Sequence, residues 1–349
     1  MAAIFRSPLF NASETFVRAQ TIGLTRYQPL LIGREDKGNI PPELAGRVLL
    51  RPGADRVRSF APVLIHAHFG TDGLRALSLA ERLGLPLITS LRGYDVTRSR
   101  SALLRSARWS WMLYALGEGR LQRHGALFLA VSDALRRQAI GRGYPAERTI
   151  THYNGVDLTR FPAGLGGPNQ ILFVGRLVEK KGVETLLEAF AIVRRARPEA
   201  SLVIIGDGPL QSRLQAVAGP GVQFLGALGQ EAVGDWMRRS TLLAAPSVTA
   251  RDGDAEGLPN VVVEAAASAL PVVGSDHSGI PEAIVQGETG FIVPERDAEA
   301  LAERLEAILS SADLRGRMAF AARRMVQERF DFARQMRRLE EIYDQVRGG

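Results

Sequence analysis

The 349-residue chain has no cysteine, few aromatic residues (7%) and no long hydrophobic run. Without cysteine there is no disulfide framework, no thiolate metal site and no thiol nucleophile. No stretch approaches about 18 uninterrupted apolar residues, so a membrane-spanning helix is not expected. The first ten residues, MAAIFRSPLF, lack the basic region and apolar core of a signal peptide. We therefore expect a protein that stays in the cytoplasm.

Lysine is also scarce, since Lys37, Lys180 and Lys181 are the only lysines among 44 basic residues. The net charge of +7 is divided unevenly. Residues 1–160 hold 23 Lys+Arg and 12 Asp+Glu, whereas 161–349 hold 21 and 25. An arginine-rich genome explains the preference for arginine but not this asymmetry. The basic half could contact nucleic acid, an acidic membrane surface or an anionic substrate.

Short apolar runs alternate with longer amphipathic stretches along the chain. The runs are rich in Val, Ile and Leu and are bounded by Gly or Pro, as buried parallel strands are. They lie at 29–33, 63–67, 86–90, 126–131, 170–175, 201–206, 222–226, 241–246 and 271–274. Residues 183–196 show the apolar period of a helix. The alternation predicts an α/β fold with parallel sheets.

A segment rich in Gly and Pro, at 152–170, interrupts this alternation. At about 150 residues per domain, the length predicts two Rossmann-like domains, 1–160 and 161–330. A cleft between the carboxyl ends of their strands would bind ligands. We expect 331–349 to form a helix that packs back on the first domain.

The strongest local pattern is VGRLVEKKGVETLLEAF at 174–190. A strand ends at Gly175, Arg176 and Lys181 stand in a short loop, and a helix follows. Two cations beside a helix N-terminus suit a diphosphate. The loop lacks the spacing and the Ser/Thr of a Walker motif, and a solvated basic loop is the alternative.

Glu256 and Glu264 bracket the sequence GLPNVVV. On one straight helix they would be roughly 12 Å apart, farther than the roughly 5–9.5 Å of a glycosidase pair. If Glu256 instead lies on the loop before the helix, one carboxylate could hold a sugar hydroxyl and the other the ribose hydroxyls. Two solvated glutamates are the alternative.

The motif G-D-G-P contains Gly206, Gly208 and Pro209 and follows a predicted strand. Gln211 occupies the position where a G-x-G-x-x-G fingerprint needs its third glycine, so the motif is weak evidence for a dinucleotide. It suits a tight turn that exposes backbone amides near a nucleotide.

His66 and His68 end one predicted strand, and Arg92 and Asp95 follow the next. The histidines share a strand face, but no third ligand at a plausible spacing supports a metal site. Arg92 and Asp95 could orient substrate hydroxyls or a phosphate, and a salt bridge within the loop is the alternative.

Together these motifs resemble the retaining glycosyltransferases of family 4, which have the GT-B fold of two facing Rossmann-like domains. The match includes G-R-L-V-E-K-K-G, G-D-G-P, the E-x7-E pair, S-G-I-P-E-A and G-E-T-G-F-I-V-P, and is most specific over 170–295. S-E-T-F-V-R-A-Q at 13–20, H-A-H-F-G and R-G-Y-D-V are similar to the subgroup of bacterial exopolysaccharide and colanic-acid-type assembly.

The resemblance implies transfer of a hexose from GDP-mannose or a UDP-hexose, with retained anomeric configuration and no metal or other cofactor. Arg176 and Lys181 would hold the donor diphosphate and stabilise the departing nucleotide. Glu256 would bind the transferred sugar and Glu264 the ribose. The other implied donor-binding residues are Gly175, Gly206, Gly208, Pro209, Gly257, Leu258, Asn260 and Val261.

The implied acceptor side includes His68, Arg92 and Asp95, with Ser13 and Glu14 in the first loop. Two features depart from the family pattern. Arg92 stands where many relatives have a histidine, and arginine cannot act as a base. Ser13 and Glu14 replace a clean Gly-Gly, and so few residues precede them that the chain start is expected to cut into the first strand.

In this subgroup the first domain faces an acceptor that is typically a polyprenyl-diphosphate-linked saccharide at the cytoplasmic leaflet. Residues 101–125 mix arginines with large apolar side chains, which suits a helix lying on anionic lipid. The protein would then be peripheral on the inner face of the plasma membrane. A helix that packs Trp109 and Met112 into the core is the alternative.

Other functions stay open at this stage. A GT-B nucleotide-sugar epimerase and a synthase with a soluble acceptor fit the same motifs. A non-catalytic membrane scaffold fits the basic half. A nucleic-acid-binding protein lacks any recognised motif or aromatic–basic interleaving, so no nucleic acid partner is expected.

Overall fold

The computed structural model describes residues 1–10, 15–37, 40–164, 166–167 and 169–348. It divides into two compact units. Unit 1 comprises Met1–Asn154 and Ala333–Gly349, and unit 2 comprises Gly155–Phe332. The boundaries predicted from the sequence were after residues 160 and 330.

Unit 1 is built on a parallel seven-stranded sheet in the order β3-β2-β1-β4-β5-β6-β7. Its strands are β1 (Ala2–Phe5), β2 (Pro29–Gly33), β3 (Val48–Leu50), β4 (Leu64–His68), β5 (Leu87–Leu91), β6 (Leu127–Ala130) and β7 (Thr149–Thr151). Every residue of β1, β2, β4 and β5 is buried. This burial on both faces explains why these strands are nearly continuous apolar runs rather than alternating patterns.

The helices of unit 1 connect these strands. They are α1 (Thr15–Ile22), α2 (Ala54–Arg58), α3 (Gly70–Leu83), α4 (Tyr94–Thr97), α5 (Arg100–Leu104), α6 (Trp109–His124) and α7 (Asp133–Gly141). α3 buries Ala76, Leu77 and Ala80 in the core of the unit. α7 begins at an ordinary serine cap, where Ser132 Oγ accepts a hydrogen bond from the amide of Leu135.

Unit 2 is built on a parallel six-stranded sheet in the order β10-β9-β8-β11-β12-β13. Its strands are β8 (Gln170–Val174), β9 (Ser201–Ile205), β10 (Val222–Gly226), β11 (Leu242–Ala245), β12 (Val272–Ser275) and β13 (Gly290–Val293). Its helices are α8 (Val183–Ala196), α9 (Gln211–Val217), α10 (Gln230–Arg239), α11 (Asn260–Ala267), α12 (Ala298–Ser310) and α13 (Ala312–Arg329). The strand order reverses between β8 and β11, so the loops that follow these two strands lie side by side.

The last helix, α14 (Phe332–Gly348), belongs to unit 1 from Ala333 onward. Its Glu340 carboxylate accepts hydrogen bonds from the amides of Thr25 and Arg26, both at 2.7 Å. Its Tyr343 hydroxyl lies 2.6 Å from His66 Nδ1 on β4. The helix is therefore joined to unit 1 by hydrogen bonds at two places, and the one to β4 is buried.

In the part of the chain that the structure describes, every helix is too short or too polar to cross a membrane.

Candidate active site

The loop after β8 carries the two predicted phosphate-binding cations. Residues Glu179–Lys181 form a single 3-10 turn, and α8 begins directly after Gly182. Gly182 has a φ of +63°, and a Cβ there would lie 1.8 Å from the carbonyl oxygen of Pro246. Only glycine fits this position, so the turn delivers Lys181 to the N-terminus of α8.

The G-D-G-P turn packs against this loop. The amide of Leu177 donates to the carbonyl of Asp207 at 2.6 Å, and the amide of Leu210 donates back to Leu177 at 3.1 Å. A Cβ on Gly206 would lie 2.0 Å from the carbonyl oxygen of Gly175. Gly175 and Gly206 therefore allow close backbone contact between the loops after β8 and β9. Pro209 is exposed at the turn.

The structure brings Lys181 and Glu256 together, although 75 positions separate them in the sequence. Lys181 Nζ lies 3.2 Å from Glu256 Oε1. Lys180 Nζ lies 3.5 Å from the same oxygen and 3.2 Å from Asp254 Oδ1. These four residues belong to the loops after β8 and β11, which the strand order makes neighbours. Neither Lys180 nor Asp254 was predicted as a site residue from the sequence.

The pKa values of Glu256 and Lys180 are both shifted in the direction that favours the charged form. Burial alone would raise the pKa of Glu256, but Lys181 and Lys180 outweigh it and hold that pKa at about 2. Burial lowers the pKa of Lys180, but Glu256 and Asp254 outweigh that effect and leave it above its usual value. The cluster is a compact set of fixed charges at the carboxyl edge of the sheet.

Arg176 differs from Lys181 in its surroundings. Its side chain is exposed, and among the described residues it has no ion-pair partner. The structure therefore places both predicted cations in one loop but does not join Arg176 to the Lys181–Glu256 cluster.

Glu256 lies in the loop that precedes α11, so the two glutamates do not share one straight helix. Gly257 and Leu258 are buried in that loop, and Asn260 and Val261 are the first residues of the helix. The carbonyl of Gly257 accepts a hydrogen bond from the amide of Gly279 at 2.9 Å. The loop is thus anchored to the S-G-I-P-E segment that follows β12.

His277 links the backbone of Glu256 to the side chain of Glu295. The Glu256 amide donates to His277 Nε2 at 3.1 Å, so the ring proton lies on Nδ1 and is donated to Glu295 Oε1 at 2.6 Å. Burial would raise the pKa of Glu295, but the Thr249 amide and His277 outweigh it and lower that pKa. His277 and Glu295 flank the quoted motifs S-G-I-P-E-A and G-E-T-G-F-I-V-P, and neither residue was assigned a role from the sequence.

Glu264 lies two turns from the Glu256 loop, on α11. It is half-buried, and no hydrogen bond or ion pair of its side chain is found among the described residues. Burial raises the pKa of Glu264 to about 7, and Arg160 offsets only part of the effect. A ligand hydroxyl that donates a hydrogen bond to this unpartnered carboxylate would stabilise its ionised form.

In unit 1, Arg92 is held by side chains from several elements. Its Nη2 donates to Gln20 Oε1 at 2.9 Å and to His68 Nδ1 at 3.0 Å, and its Nη1 donates to Asn154 Oδ1. The guanidinium carbon lies 4.5 Å from the centre of the Phe16 ring. Arg92 therefore organises its surroundings through donated hydrogen bonds, which a neutral histidine could not do in the same number.

Asp95 is fully buried and is satisfied by backbone amides. Its carboxylate accepts hydrogen bonds from the amides of Gly70 (2.9 Å), Gly93 (2.9 Å) and Arg92 (3.1 Å). Burial raises the pKa of Asp95, and these amides oppose the shift. The carboxylate thus fixes the loop after β5 to the first residue of α3.

The two histidines of β4 are buried, with ring centres 4.6 Å apart. His66 Nε2 lies 2.8 Å from Ser90 Oγ, and burial lowers the pKa of both histidines well below its usual value. Over the described residues, no group of three or more His, Cys, Asp or Glu side chains is arranged to hold a metal ion. Ser13 and Glu14, the remaining acceptor-side candidates, lie outside the described residues.

Comparisons with known proteins agree with this architecture. A model described as Glycosyltransferase Family 4 matches residues 32–160, and one described as Glycosyl transferases group 1 matches 157–325. The amylovoran biosynthesis glycosyltransferase AmsK of Erwinia amylovora is 30% identical over 384 residues, covering 99% of this chain and 91% of AmsK. WcaL of Escherichia coli K12, named for colanic acid biosynthesis, is 33% identical over 300 residues, covering 82% of this chain and 68% of WcaL.

Among solved structures, Anabaena HepE in complex with UDP matches with a TM-score of 0.80 at 20% identity, covering 99% of this chain and 100% of HepE. This likeness and the two parallel sheets confirm the predicted α/β fold of GT-B type. The fold and the matched models define a glycosyltransferase. The chain belongs to glycosyltransferase family 4, and AmsK and WcaL confirm the subgroup that its sequence resembles.

Proposed function

We propose that this chain is a retaining hexosyltransferase that moves a sugar from a nucleotide-sugar donor to a lipid-linked saccharide during exopolysaccharide assembly. The observation that carries the proposal is the contact of Lys181 with Glu256 at the carboxyl edge of the unit 2 sheet, beside the N-terminus of α8. A fixed cation and a helix N-terminus suit a diphosphate, and an ionised carboxylate suits sugar hydroxyls.

In this proposal the diphosphate of the donor lies against Lys181 and Arg176. Glu256 accepts hydrogen bonds from the transferred sugar, and Glu264 accepts them from the ribose. The solved HepE complexes contain UDP and UDP-glucose, which makes UDP-hexoses the first donors to test, with GDP-mannose next. AmsK and WcaL, named for two exopolysaccharides, support the polysaccharide assignment.

The proposed chemistry breaks the bond between the anomeric carbon and the donor diphosphate and forms one to the acceptor oxygen on the same face of the sugar. The acceptor hydroxyl passes its proton to the leaving phosphate. Lys181 and Arg176 stabilise the negative charge that develops on the nucleotide, as preorganised cations do. We propose that no divalent metal takes part.

The proposed acceptor is linked to polyprenyl diphosphate, with the protein peripheral on the cytoplasmic face of the plasma membrane. Two observations in the first half of the chain support this. Residues 1–160 carry an excess of basic groups, 23 against 12 acidic. On α6, Trp109 is 70% exposed and is not packed into the core. An exposed tryptophan among arginines is typical of a helix at an anionic lipid surface.

The proposal is tested by screening nucleotide sugars for thermal stabilisation and then analysing products on lipid-linked acceptors. Transfer of a hexose with an unchanged anomeric configuration, seen by NMR of the product, would support it. Donor turnover without any acceptor would instead indicate an epimerase. Transfer only to soluble glucans would indicate a synthase, and an inverted product would overturn the retaining assignment.

A further inference from the structure

A cavity of about 470 Å³ lies beside α6 in unit 1, and its lining residues are not among the predicted site residues. Four arginines line it: Arg100, Arg120, Arg123 and Arg142. Glu118 is the acidic residue that also lines it. We propose that this cavity binds the phosphate head group of a membrane phospholipid; this rests on the membrane association proposed above.

Arg142 is a fixed cation at the wall of the cavity. Glu118 Oε1 accepts a hydrogen bond from its Nε at 2.5 Å, and the carbonyl of Arg98 accepts one from its Nη1 at 2.6 Å. Its Nη2 is buried and has no hydrogen-bond partner in the described chain. Since this nitrogen is closed off from solvent, Arg142 adds fixed positive charge to the cavity wall, and the exposed arginines supply the donors for a phosphate.

The other arginines leave the cavity strongly positive. Arg100 and Arg123 are exposed, and neither has a side-chain partner among the described residues. Arg120 contacts Glu81 at 2.5 Å, at the surface. Glu118 is therefore opposed by more cations than it can neutralise, and guanidinium groups in this arrangement suit the oxygens of a phosphate.

An apolar stripe adjoins the cavity on the same helix. Trp109, Leu113 and Leu116 are 70%, 43% and 66% exposed. Their spacing of four and three residues places them on one face of α6. Leu116 also lines the cavity, so the stripe and the arginines meet. Large apolar side chains that stay exposed in a row indicate an interaction surface.

The arginines of the cavity and the apolar stripe of α6 together favour one class of ligand. A free phosphate or a soluble sugar phosphate would use the arginines and leave the stripe exposed to water. A phospholipid satisfies both, because its head group can occupy the cavity while Trp109, Leu113 and Leu116 contact the acyl region. The site is thus a head-group pocket at the edge of a lipid-facing helix.

The test is binding of the full chain to vesicles of phosphatidylcholine with and without phosphatidylglycerol, at constant ionic strength. The pocket variant is Arg100→Gln with Arg123→Gln. The control is Arg34→Gln with Arg82→Gln, which removes the same charge from two other exposed arginines of unit 1. We expect the pocket variant to lose about tenfold in affinity for anionic vesicles and the control to lose less than about twofold.

Equal losses in both variants would mean diffuse attraction and would overturn the pocket. No loss in the pocket variant would also overturn it. Binding of inorganic phosphate that protects Arg123 from modification, without any vesicle binding, would show a free-anion site and overturn the lipid assignment. Vesicle binding is measured without donor or acceptor, so its failure is separate from a failure of sugar transfer.

Discussion

The two units use arginine and lysine in opposite ways. In unit 1, Arg92 is surrounded by Gln20, His68 and Asn154, which all accept its hydrogen bonds. In unit 2, Lys181 contacts a carboxylate that is itself a candidate ligand group, and Arg176 is exposed. The hydrogen bonds of Arg92 hold neighbouring side chains of unit 1 in place. In unit 2, Lys181 and Arg176 are cations that a ligand can contact. The difference supports the proposed donor site in unit 2 and a positioning role for Arg92.

The largest effect is expected from Lys181→Ala. Loss of the fixed cation should lower turnover by about 10²–10³-fold, the cost of removing one preorganised stabilising group. Arg176→Ala should lower it by orders of magnitude as well. Steady-state kinetics with the identified donor measure this, with Arg195→Ala, an exposed arginine on α8, as the matched control. Wild-type activity in both Lys181→Ala and Arg176→Ala would contradict the proposed diphosphate site. The contrast between the two units would then have no functional basis.

The second prediction uses the pKa of Glu264, which burial raises to about 7 from an ordinary 4.5. The folded protein then holds a proton that the unfolded chain releases, so the free energy of unfolding falls as pH rises between about 4.5 and 7. Glu264→Gln removes this dependence. Without ligand, the free energy of unfolding of the variant relative to the wild type should therefore rise by about 3 kcal/mol from pH 4.5 to pH 8.

Urea unfolding of both proteins at the two pH values measures that gain. A parallel pH dependence in the two proteins would show that Glu264 titrates normally. Donor affinity should rise with pH through the same range if the ionised carboxylate accepts the ribose hydroxyls, and Glu264→Gln should flatten that rise.

The third prediction concerns the arginine that unit 1 encloses. Arg92→Gln leaves two buried acceptors, on Gln20 and His68, and the half-buried Asn154 without their donor. We therefore expect a loss of about 2 kcal/mol in the free energy of unfolding. Arg34→Gln, at an exposed site of the same unit, should cost under about 0.5 kcal/mol. If Arg92→Gln unfolds like the wild type while acceptor transfer is lost, Arg92 contacts substrate directly and the contrast with unit 2 disappears.

A smaller effect is expected from His277→Ala. The variant loses the acceptor for the Glu256 amide and the donor to Glu295, so the Glu256 loop is held less firmly. A hydrogen bond of about 1 kcal/mol corresponds to about a fivefold rise in the KM for the donor, with little change in kcat. A fall in kcat of more than about a hundredfold would show that His277 takes part in the chemistry itself.

The smallest effect is expected from chelation. If fixed cations supply the leaving-group stabilisation, EDTA should leave activity unchanged within error. Loss of activity that added Mn²⁺ restores would contradict the metal-independent proposal, and the cations of unit 2 would then be only part of the donor site.

Much of the fold could be predicted because its central strands are buried on both faces. The apolar runs at 170–175 and 201–206 correspond to β8 and β9, and the helix at 183–196 matches α8. The predicted runs omit β1, β3, β7 and β13. β1 is a buried inner strand of only four residues, AAIF. β3 and β7 are three residues long and lie at the two edges of the unit 1 sheet, and β13 lies at an edge of the unit 2 sheet. Such short edge strands need no long apolar run, so their signal is weak.

The site was predictable only where a local motif carried it. Lys181 was predicted because the glycines at 175 and 182 mark a short loop between a strand and the N-terminus of a helix. Lys180 and Asp254 were missed because 74 positions separate them and the crossover between β8 and β11 brings them together. His277 and Glu295 lie at the ends of two adjacent strands, and no spacing within either segment reveals their contact.

Because α14 returns to unit 1, unit 2 is inserted within unit 1 in the chain. Cutting after Asn154 would remove the Tyr343 partner of His66 and the Glu340 partner of two amides. A single-cut fragment of unit 1 would thus expose polar groups that the intact chain satisfies. Isolating this unit for acceptor or lipid studies requires joining residue 154 to residue 333 through a linker, whereas unit 2 can be excised as one continuous piece.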